Sequence, residues 1–291
     1  MIMKNKIYNE DCVQGIKRIP TGSIDAILTD PPYLYLKNQK LDKEFDEDAL
    51  FKEWMRVLKD DGMIAVFGRG ESFYRWGYKL TELGLKFKEE VVWNKQYSSS
   101  PVHRLSRVHE TLSIWTKGNG IINKVKVPYL ESKKHDIDAI CGDIKRLSAI
   151  LGNQKDLNKV LKYLESGNPY NDIDRDSESV TIAANSTKKV NVSCMVMQMF
   201  KDGMLEKSII SEPYDRYFRI HPTQKPVPLL VRILNLISKK GDTILDCFSG
   251  SGSTAVACMK SGREFIGFEL DKEYYDKSIE RIHSERDLFT F

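Results

Sequence analysis

Four consecutive residues carry the most specific chemistry in this chain. Asp30-Pro31-Pro32-Tyr33 follow the apolar run Ile24-Asp25-Ala26-Ile27-Leu28-Thr29. A double proline continues neither a ladder nor a helix, so a strand ends at Asp30 and the tetrapeptide stands at its carboxyl end. An exocyclic amine on a heteroaromatic ring is a poor nucleophile because its lone pair is delocalised into the ring. The Asp30 carboxylate and the carbonyl of Pro31 can both accept hydrogen bonds from such an NH2 group, which draws the nitrogen toward tetrahedral geometry and aims its lone pair at an electrophile. Pro31 and Pro32 fix φ, so this arrangement is rigid before a substrate arrives. Tyr33 offers a flat face on which an extruded base can stack, worth roughly 1–3 kcal/mol. The same four residues also read as an ordinary Pro-Pro turn capped by Asp, and alone they do not separate the two.

A second group of residues supplies a partner for that chemistry. Asp246 closes a short apolar strand, and Phe248-Ser249-Gly250-Ser251-Gly252-Ser253-Thr254 then leads into a helix. A glycine-rich turn of this kind brings backbone amides close to a ligand at the carboxyl edge of an α/β sheet. It lacks the third glycine of the dinucleotide fingerprint and the Gly-Lys-Ser/Thr of nucleotide triphosphatases, which disfavours a nicotinamide dehydrogenase and a phosphate-loop enzyme. Glu269 ends the next strand, 23 positions beyond Asp246, where a carboxylate can accept from both hydroxyls of a ribose. The pairing favours an adenosine-containing cofactor; a tight turn beside a surface Glu is the alternative. Cys247, inside this turn, reads as a packed apolar residue and not as a nucleophile.

Elements must hold these groups, and two segments alternate strand and helix. In the first, from about residue 5 to 118, the strand ending at Asp30 is followed by a helix over Asp48 to Leu58, closed by the turn Lys59-Asp60-Asp61-Gly62, and by a buried strand from Met63 to Gly68. Phe87 to Trp93 and Thr111 to Trp115 are two further strands that can pair. The last segment, from about 222 to 291, gives a helix over Val227 to Ser238, a strand over Thr243 to Asp246, a helix over Ala255 to Ser261 and a strand over Glu264 to Glu269. Such alternation predicts an α/β fold with a doubly wound, mainly parallel sheet. Between the segments, about 122 to 212 is more polar, with a helix candidate over Gln154 to Leu164 and a turn-rich run from Ser166 to Lys189, and reads as a separate lobe or large insertion.

Composition bounds the rest. The chain has 291 residues, 41% of them hydrophobic and 30% charged, the balance of a soluble globular protein that folds without cross-links. No window approaches the roughly 20 apolar residues of a membrane span, and the amino-terminal residues resemble no leader, so a cytoplasmic, uncleaved protein is expected. The five cysteines are scattered and never in Cys-x-x-Cys spacing, which suggests neither a disulfide framework nor a zinc site, and no other metal site is expected. A net charge of +4 is compatible with a polyanionic partner and does not demonstrate one. Any nucleic-acid face must arise when folding gathers basic side chains onto one surface.

Taken together and in this order, the motifs resemble those of DNA amino-methyltransferases, in particular the permuted β group, where the catalytic motif precedes the cofactor motif. The resemblance implies the Rossmann-like S-adenosylmethionine methyltransferase fold with an inserted target-recognition region. It divides the chain into a catalytic half, 1–121, a target-recognition region, 122–212, and a cofactor-binding half, 213–291. The phrase Asn9-Glu10-Asp11-Cys12 is similar to the one whose Asp reaches the cofactor's adenine side. His221-Pro222-Thr223-Gln224-Lys225-Pro226 is similar to the segment beside its methionine end, with Thr223 and Lys225 as carboxylate ligands and His221 as a positioning group. Implied cofactor contacts are thus Asp11, Cys12, Asp30, His221, Thr223, Lys225, Asp246, Phe248, Ser249, Gly250, Ser251, Gly252, Thr254 and Glu269. The catalytic residues are Asp30, Pro31, Pro32 and Tyr33. Val92-Trp93-Asn94-Lys95 and His109-Glu110-Thr111-Leu112 look like the family's phrases on either side of the loop that meets a flipped base. Where the family often carries Asp-Pro-Phe this chain has Asp246-Cys247-Phe248, a replacement that leaves the backbone turn possible.

The implied reaction is direct transfer of the sulfonium methyl of S-adenosyl-L-methionine to adenine N6 in flipped-out duplex DNA, leaving S-adenosyl-L-homocysteine. Cytosine N4 uses the same geometry, but that group more often has Ser in the first position of the tetrapeptide, so Asp30 favours adenine. A methyltransferase-like nucleic-acid-binding subunit that no longer catalyses is the alternative outside enzymology; such proteins tend to lose the acid or the glycines that this chain keeps. In the loop after the strand ending near Lys95, Tyr97, His103, Arg104 and Arg107 suit contacts with phosphates and base edges. Lys133-Lys134 and Lys188-Lys189 are weaker candidates. Double-stranded DNA is the expected partner, and the resemblance also allows a homodimer and a cognate restriction endonuclease.

Overall fold

A computed structural model describes residues 2–33, 43–97, 104–133, 136–152, 196, 199–214, 220 and 224–287. Its strands are β1 (Lys6–Tyr8), β2 (Ile24–Thr29), β3 (Leu58–Gly68), β4 (Lys86–Asn94), β5 (His109–Thr116), β6 (Lys126–Val127), β7 (Met204–Leu205), β8 (Ile209–Ser211), β9 (Thr243–Asp246) and β10 (Glu264–Phe268). Its helices are α1 (Cys12–Gly15), α2 (Glu47–Val57), α3 (Glu71–Glu82), α4 (Tyr129–Ser132), α5 (Ile137–Leu151), α6 (Val227–Ile237), α7 (Ser253–Ser261) and α8 (Lys272–Asp287).

The described chain divides into two units, Met1–Asn123 with Lys207–Phe291, and Lys124–Glu206. In the first, eight strands form one sheet in the order β1-β10-β9-β2-β3-β5-β4-β8. Every neighbouring pair is parallel except β3 with β5 and β4 with β5, so β5 alone runs against the rest. The expected doubly wound, mainly parallel sheet is therefore present. Its central strands are buried along nearly their full length, which is why Ile24–Thr29 and Thr243–Asp246 read as continuous and not alternating apolar runs.

Helices cover this sheet through apolar stripes. In α2 the residues Leu50, Phe51, Trp54 and Val57 are buried, a one-sided helical spacing, and Asp46 caps the helix by accepting from Ala49 N at 2.9 Å. They join Ile16, Ile64, Trp76, Trp115 and Phe268 in the core. Helix α6 begins after Pro226 and buries six apolar residues, among them Leu230, Ile233 and Leu234. Apart from the strand expected from Met63, the expected helices and strands of both segments appear within a residue or two, and Phe87 to Trp93 does pair with Thr111 to Trp115.

Three features differ from the sequence expectation. Lys59-Asp60-Asp61-Gly62 is not a turn outside the sheet: β3 already begins at Leu58, which pairs with Ile24, and the next pair is Ala26 with Met63. The four residues bulge out between those two pairs. Gly62 is required there, since a Cβ would lie 2.8 Å from Leu58 Cδ2 and 3.0 Å from Lys59 O. The second difference is at the edge of the middle region: Ile209–Ser211 pairs with Val92–Asn94 as the outer strand β8, so the sheet includes residues that a boundary at 212 assigned to the insertion. Third, the sequence pattern does not predict β1, α1, α3, α5 or α8. Helix α3 buries only Ser72, Trp76 and Leu80, and α8 is largely charged.

Within Lys124–Glu206, β6 pairs antiparallel with β7. Tyr129 stacks on Phe200 with centroids 3.9 Å apart, and its hydroxyl donates to the buried Asp143 at 2.6 Å. Asp143 also meets Lys133 at 3.2 Å and Arg146 at 2.9 Å. Lys133, a weaker candidate for contact with DNA, is thus a partner of an internal carboxylate. The helix candidate Gln154 to Leu164 and the residues Lys134, Lys188 and Lys189 lie outside the described residues.

Candidate active site

Strands β2 and β9 lie side by side, with Ala26 opposite Ile244 and Ile27 opposite Leu245. From β2 the chain leaves toward α2 and β3 on one side; from β9 it leaves toward α7 and β10 on the other. The two connections diverge and open a crevice beyond the carboxyl ends of the strands, where open α/β sheets bind their ligands. A cavity of about 350 Å³ occupies this place, and Asp30, Tyr33, Lys225, Asp246, Gly250 and Glu269 all line it. The two groups of residues singled out from opposite ends of the chain share one site because their strands are neighbours.

On the β9 side, the backbone is folded around Glu269. Its Oε2 accepts from Gly250 N at 2.7 Å and its Oε1 from Asp271 N at 2.8 Å, which fixes the carboxylate while leaving a lone pair on each oxygen. Gly250 and Gly252 hold positive φ, 49° and 72°, the conformation that lets the chain turn sharply into α7. Gly252 sits at the N-cap of α7 and, unlike Gly250, does not line the cavity. Ser249, Ser251, Thr254 and Phe248 do line it. Asp246 is buried; its Oδ1 accepts from Thr29 Oγ1 at 2.8 Å and from Phe248 N at 3.1 Å. Burial pushes its carboxyl up to about 6, against the hydrogen bonds from Thr254, Thr29 and Phe248. Asp11 caps α1 by accepting from Gln14 N at 3.1 Å, and with Cys12 it forms the cavity wall next to β1. Cys247 is buried in the cavity wall, where its Sγ accepts from Trp54 Nε1 at 3.2 Å.

On the β2 side, Asp30 is held from two directions. Tyr33 donates its hydroxyl to Asp30 Oδ1, and Lys225 donates to Oδ2. The Tyr33 ring packs at 6.1 Å from Trp76, and Phe45 bridges from Trp76 to Phe248, 5.0 Å away on the β9 side. Burial pushes the Asp30 carboxyl above its ordinary value, with Lys225 opposing the shift and Glu110 adding to it. Lys225 itself is displaced upward: burial lowers it, and the carboxylates of Asp30 and Glu110 more than compensate. Glu110 lies 3.3 Å from Lys225 and 3.0 Å from Lys95. Burial would raise Glu110, but the two ammonium groups hold it below the usual carboxylate range.

Not every expected contact gathers here. Tyr97, Arg104 and Arg107 are exposed between β4 and β5 and do not line the cavity. His103, His221 and Thr223 lie outside the described residues. Sequence reasoning passed over Phe45, Glu110 and Lys95 as site residues. The last two are brought together by the antiparallel register that sets Asn94 opposite His109, a non-local signal.

The model of a DNA methylase family that groups N6 and N4 enzymes matches residues 24–280. Type II methyltransferase M.HinfI of Haemophilus influenzae is 27% identical over 306 residues, covering 96% of this chain and 68% of the relative. DNA adenine methyltransferase YhdJ of Escherichia coli K12 is 27% identical over 288 residues, covering 95% of this chain and 82% of the relative. Among solved structures, the M1.HpyAVI–SAM complex superposes with a TM-score of 0.57 at 21% identity, covering 95% of this chain and 98% of that one.

Proposed function

Because the chain belongs to the N6/N4 family of DNA methylases, we propose that it uses S-adenosylmethionine to methylate the N6 amino group of adenine in duplex DNA. The observation that carries this reading is Asp30, a carboxylate at the carboxyl end of β2, oriented by Tyr33 and Lys225 and sharing one cavity with Glu269 and the Gly250 turn. Asp in the first position favours adenine over cytosine, and a relative named for adenine methylation agrees with it.

The residues present fit the cofactor. Glu269, fixed by Gly250 and Asp271, would accept from the ribose hydroxyls, Asp11 would meet the adenine side, and Asp246 and Phe248 line the same cavity. S-adenosylmethionine, when bound, supplies an electrophilic sulfonium methyl. Asp30 and the Pro31 carbonyl accept the two hydrogens of the substrate amine and direct its lone pair, while Pro31 and Pro32 keep them rigid. Asp30 is also the nearest acceptor for the proton that the methylated nitrogen must lose. A base can reach this depth only by leaving its stack, and Tyr33 and Phe45, backed by the buried Trp76, provide an aromatic wall for it. Arg104 and Arg107 would then meet the DNA backbone near the site, with Lys124–Glu206 reading the target.

Asp30→Ala tests the reading: methyl transfer to DNA should fall by several orders of magnitude while calorimetry still shows cofactor binding. Near-parental turnover in that variant would refute it.

A further inference from the structure

One wall of the site is a largely buried charge cluster that the amine-binding geometry alone does not require. Lys225 Nζ bonds Asp30 and stands 3.3 Å from Glu110 Oε2; Lys95 Nζ lies 3.0 Å from Glu110 Oε1. The four groups come from four places: the end of β2, the segment before α6, the start of β5 and the residue after β4. Lys95 and Lys225 are each only 6% exposed. Removing an ammonium from water costs several kcal/mol unless carboxylates meet it, so such a cluster is held together only as a unit. Lys225 also lies 4.8 Å over the Phe67 ring on β3, which closes it in on another side. Glu110 Oε2 makes no hydrogen bond among the described residues, and its charge is met by Lys225. Glu110 therefore serves no helix end or turn; it acts on the two lysines.

We propose that Lys225 is a positioning residue for amine methylation: anchored by Glu110, it fixes one oxygen of Asp30 and supplies the charge that lets this buried side chain meet the amine as a carboxylate. This rests on the reading of Asp30 given above. Among the described residues, the charged and titratable groups facing Asp30 are Lys225 from the segment before α6, Glu110 from β5, Tyr33 from its own loop and Asp246 from β9. Glu110 and Asp246 repel a negative charge at Asp30, burial disfavours it, and Lys225 is the one cation among them. Removing Lys225 takes away the charge that opposes burial and shifts Asp30 further toward its protonated form, and a protonated oxygen donates where the reaction needs an acceptor. The resemblance gives Lys225 a different task, binding the cofactor's carboxylate. In the structure its ammonium already meets two carboxylates of the protein.

The two roles separate in one set of variants. Lys225→Met, Lys225→Arg and Glu110→Gln would be compared for the pH profile of kcat, for cofactor affinity by calorimetry, and for the titration of the Asp30 carboxyl. The last is read by NMR of protein labelled with 13C-carboxyl aspartate and assigned by the resonance lost in Asp30→Asn. The expected result for Lys225→Met is an acid limb of kcat and an Asp30 titration both moved up by about one pH unit or more, with cofactor affinity retained. Lys225→Arg should restore most of the parental profile. Glu110→Gln should move the Asp30 titration the opposite way, since it removes a repelling charge, and a merely damaged site would not produce that reversal. The proposal is overturned if Asp30 titrates at its parental position in Lys225→Met, or if the loss is entirely in cofactor affinity. Should Lys225→Met fail to fold, Lys225→Gln takes its place, and an Asp30 titration unmoved in that variant overturns the proposal. If the parent methylates no DNA, the proposed function fails, while the NMR titration still judges the role of Lys225.

Discussion

Replacing Asp246 by Asn should make the protein more stable and its cofactor site worse. Asp246 is 5% exposed, and burial places its carboxyl at about 6 against an ordinary value of 3.8. The folded protein therefore holds this proton more tightly than the unfolded chain does. Below pH 3.8 both states are protonated and the group contributes no difference; as pH rises toward 6 the unfolded chain ionises first and stability falls. A shift of roughly two units, at about 1.4 kcal/mol each, amounts to about 3 kcal/mol lost by neutral pH. Asn removes the charge while its amide oxygen can still accept from Thr29 and Phe248, the two bonds now made by Oδ1. Urea unfolding of both proteins across this range should give a stability difference near zero at the acid end that grows through the window and levels off above it. Cofactor affinity should fall, because the carboxylate faces the cavity where a cationic donor binds; stability given up at such a position is common in active sites. A difference that does not vary with pH, or a variant less stable than the parent at neutral pH, would refute the reasoning.

Two further outcomes follow from named contacts. Glu269→Ala removes the carboxylate fixed by Gly250 and Asp271; the loss of charge-assisted bonds worth about 1.5–3 kcal/mol should weaken cofactor binding roughly 10- to 100-fold by calorimetry. Glu47, 9% exposed, would be raised by burial, but hydrogen bonds from Arg75, Lys79 and Trp76 outweigh this and bring it to about 2. Its contribution is present above 4.5 and disappears as pH falls toward 2. Glu47→Gln should cost about 1–3 kcal/mol near neutral pH, discounted for partly solvated partners, and cost little at the acid end of a denaturation series.

The tetrapeptide Asp30-Pro31-Pro32-Tyr33 and the glycine turn are legible because their signals are local: two prolines stop a strand, and a strand running into Gly250-x-Gly252 must turn sharply. Their meeting was legible only through the doubly wound pattern, which puts β2 beside β9 at the switch point. What sequence left hidden depends on pairing at a distance. β8 is three residues long and carries no alternation, so only its ladder with β4 reveals it. The bulge after Leu58 has the composition of a turn, and the register with β2 alone shows that the strand has already begun. Helix α8 has too many charged residues for an apolar stripe to stand out. Lys225 was noticed, but its partner Glu110 is brought to it by the reversed direction of β5, which no residue spacing announces.

The proposed function turns on which atom receives the methyl group. Duplex DNA incubated with the purified protein and donor labelled in its methyl group, then digested to nucleosides and separated by mass, answers it directly. Label is expected in N6-methyladenine and absent from the digest made with Asp30→Ala. Label confined to N4-methylcytosine, or DNA that takes up no label while the protein binds the donor, would contradict it.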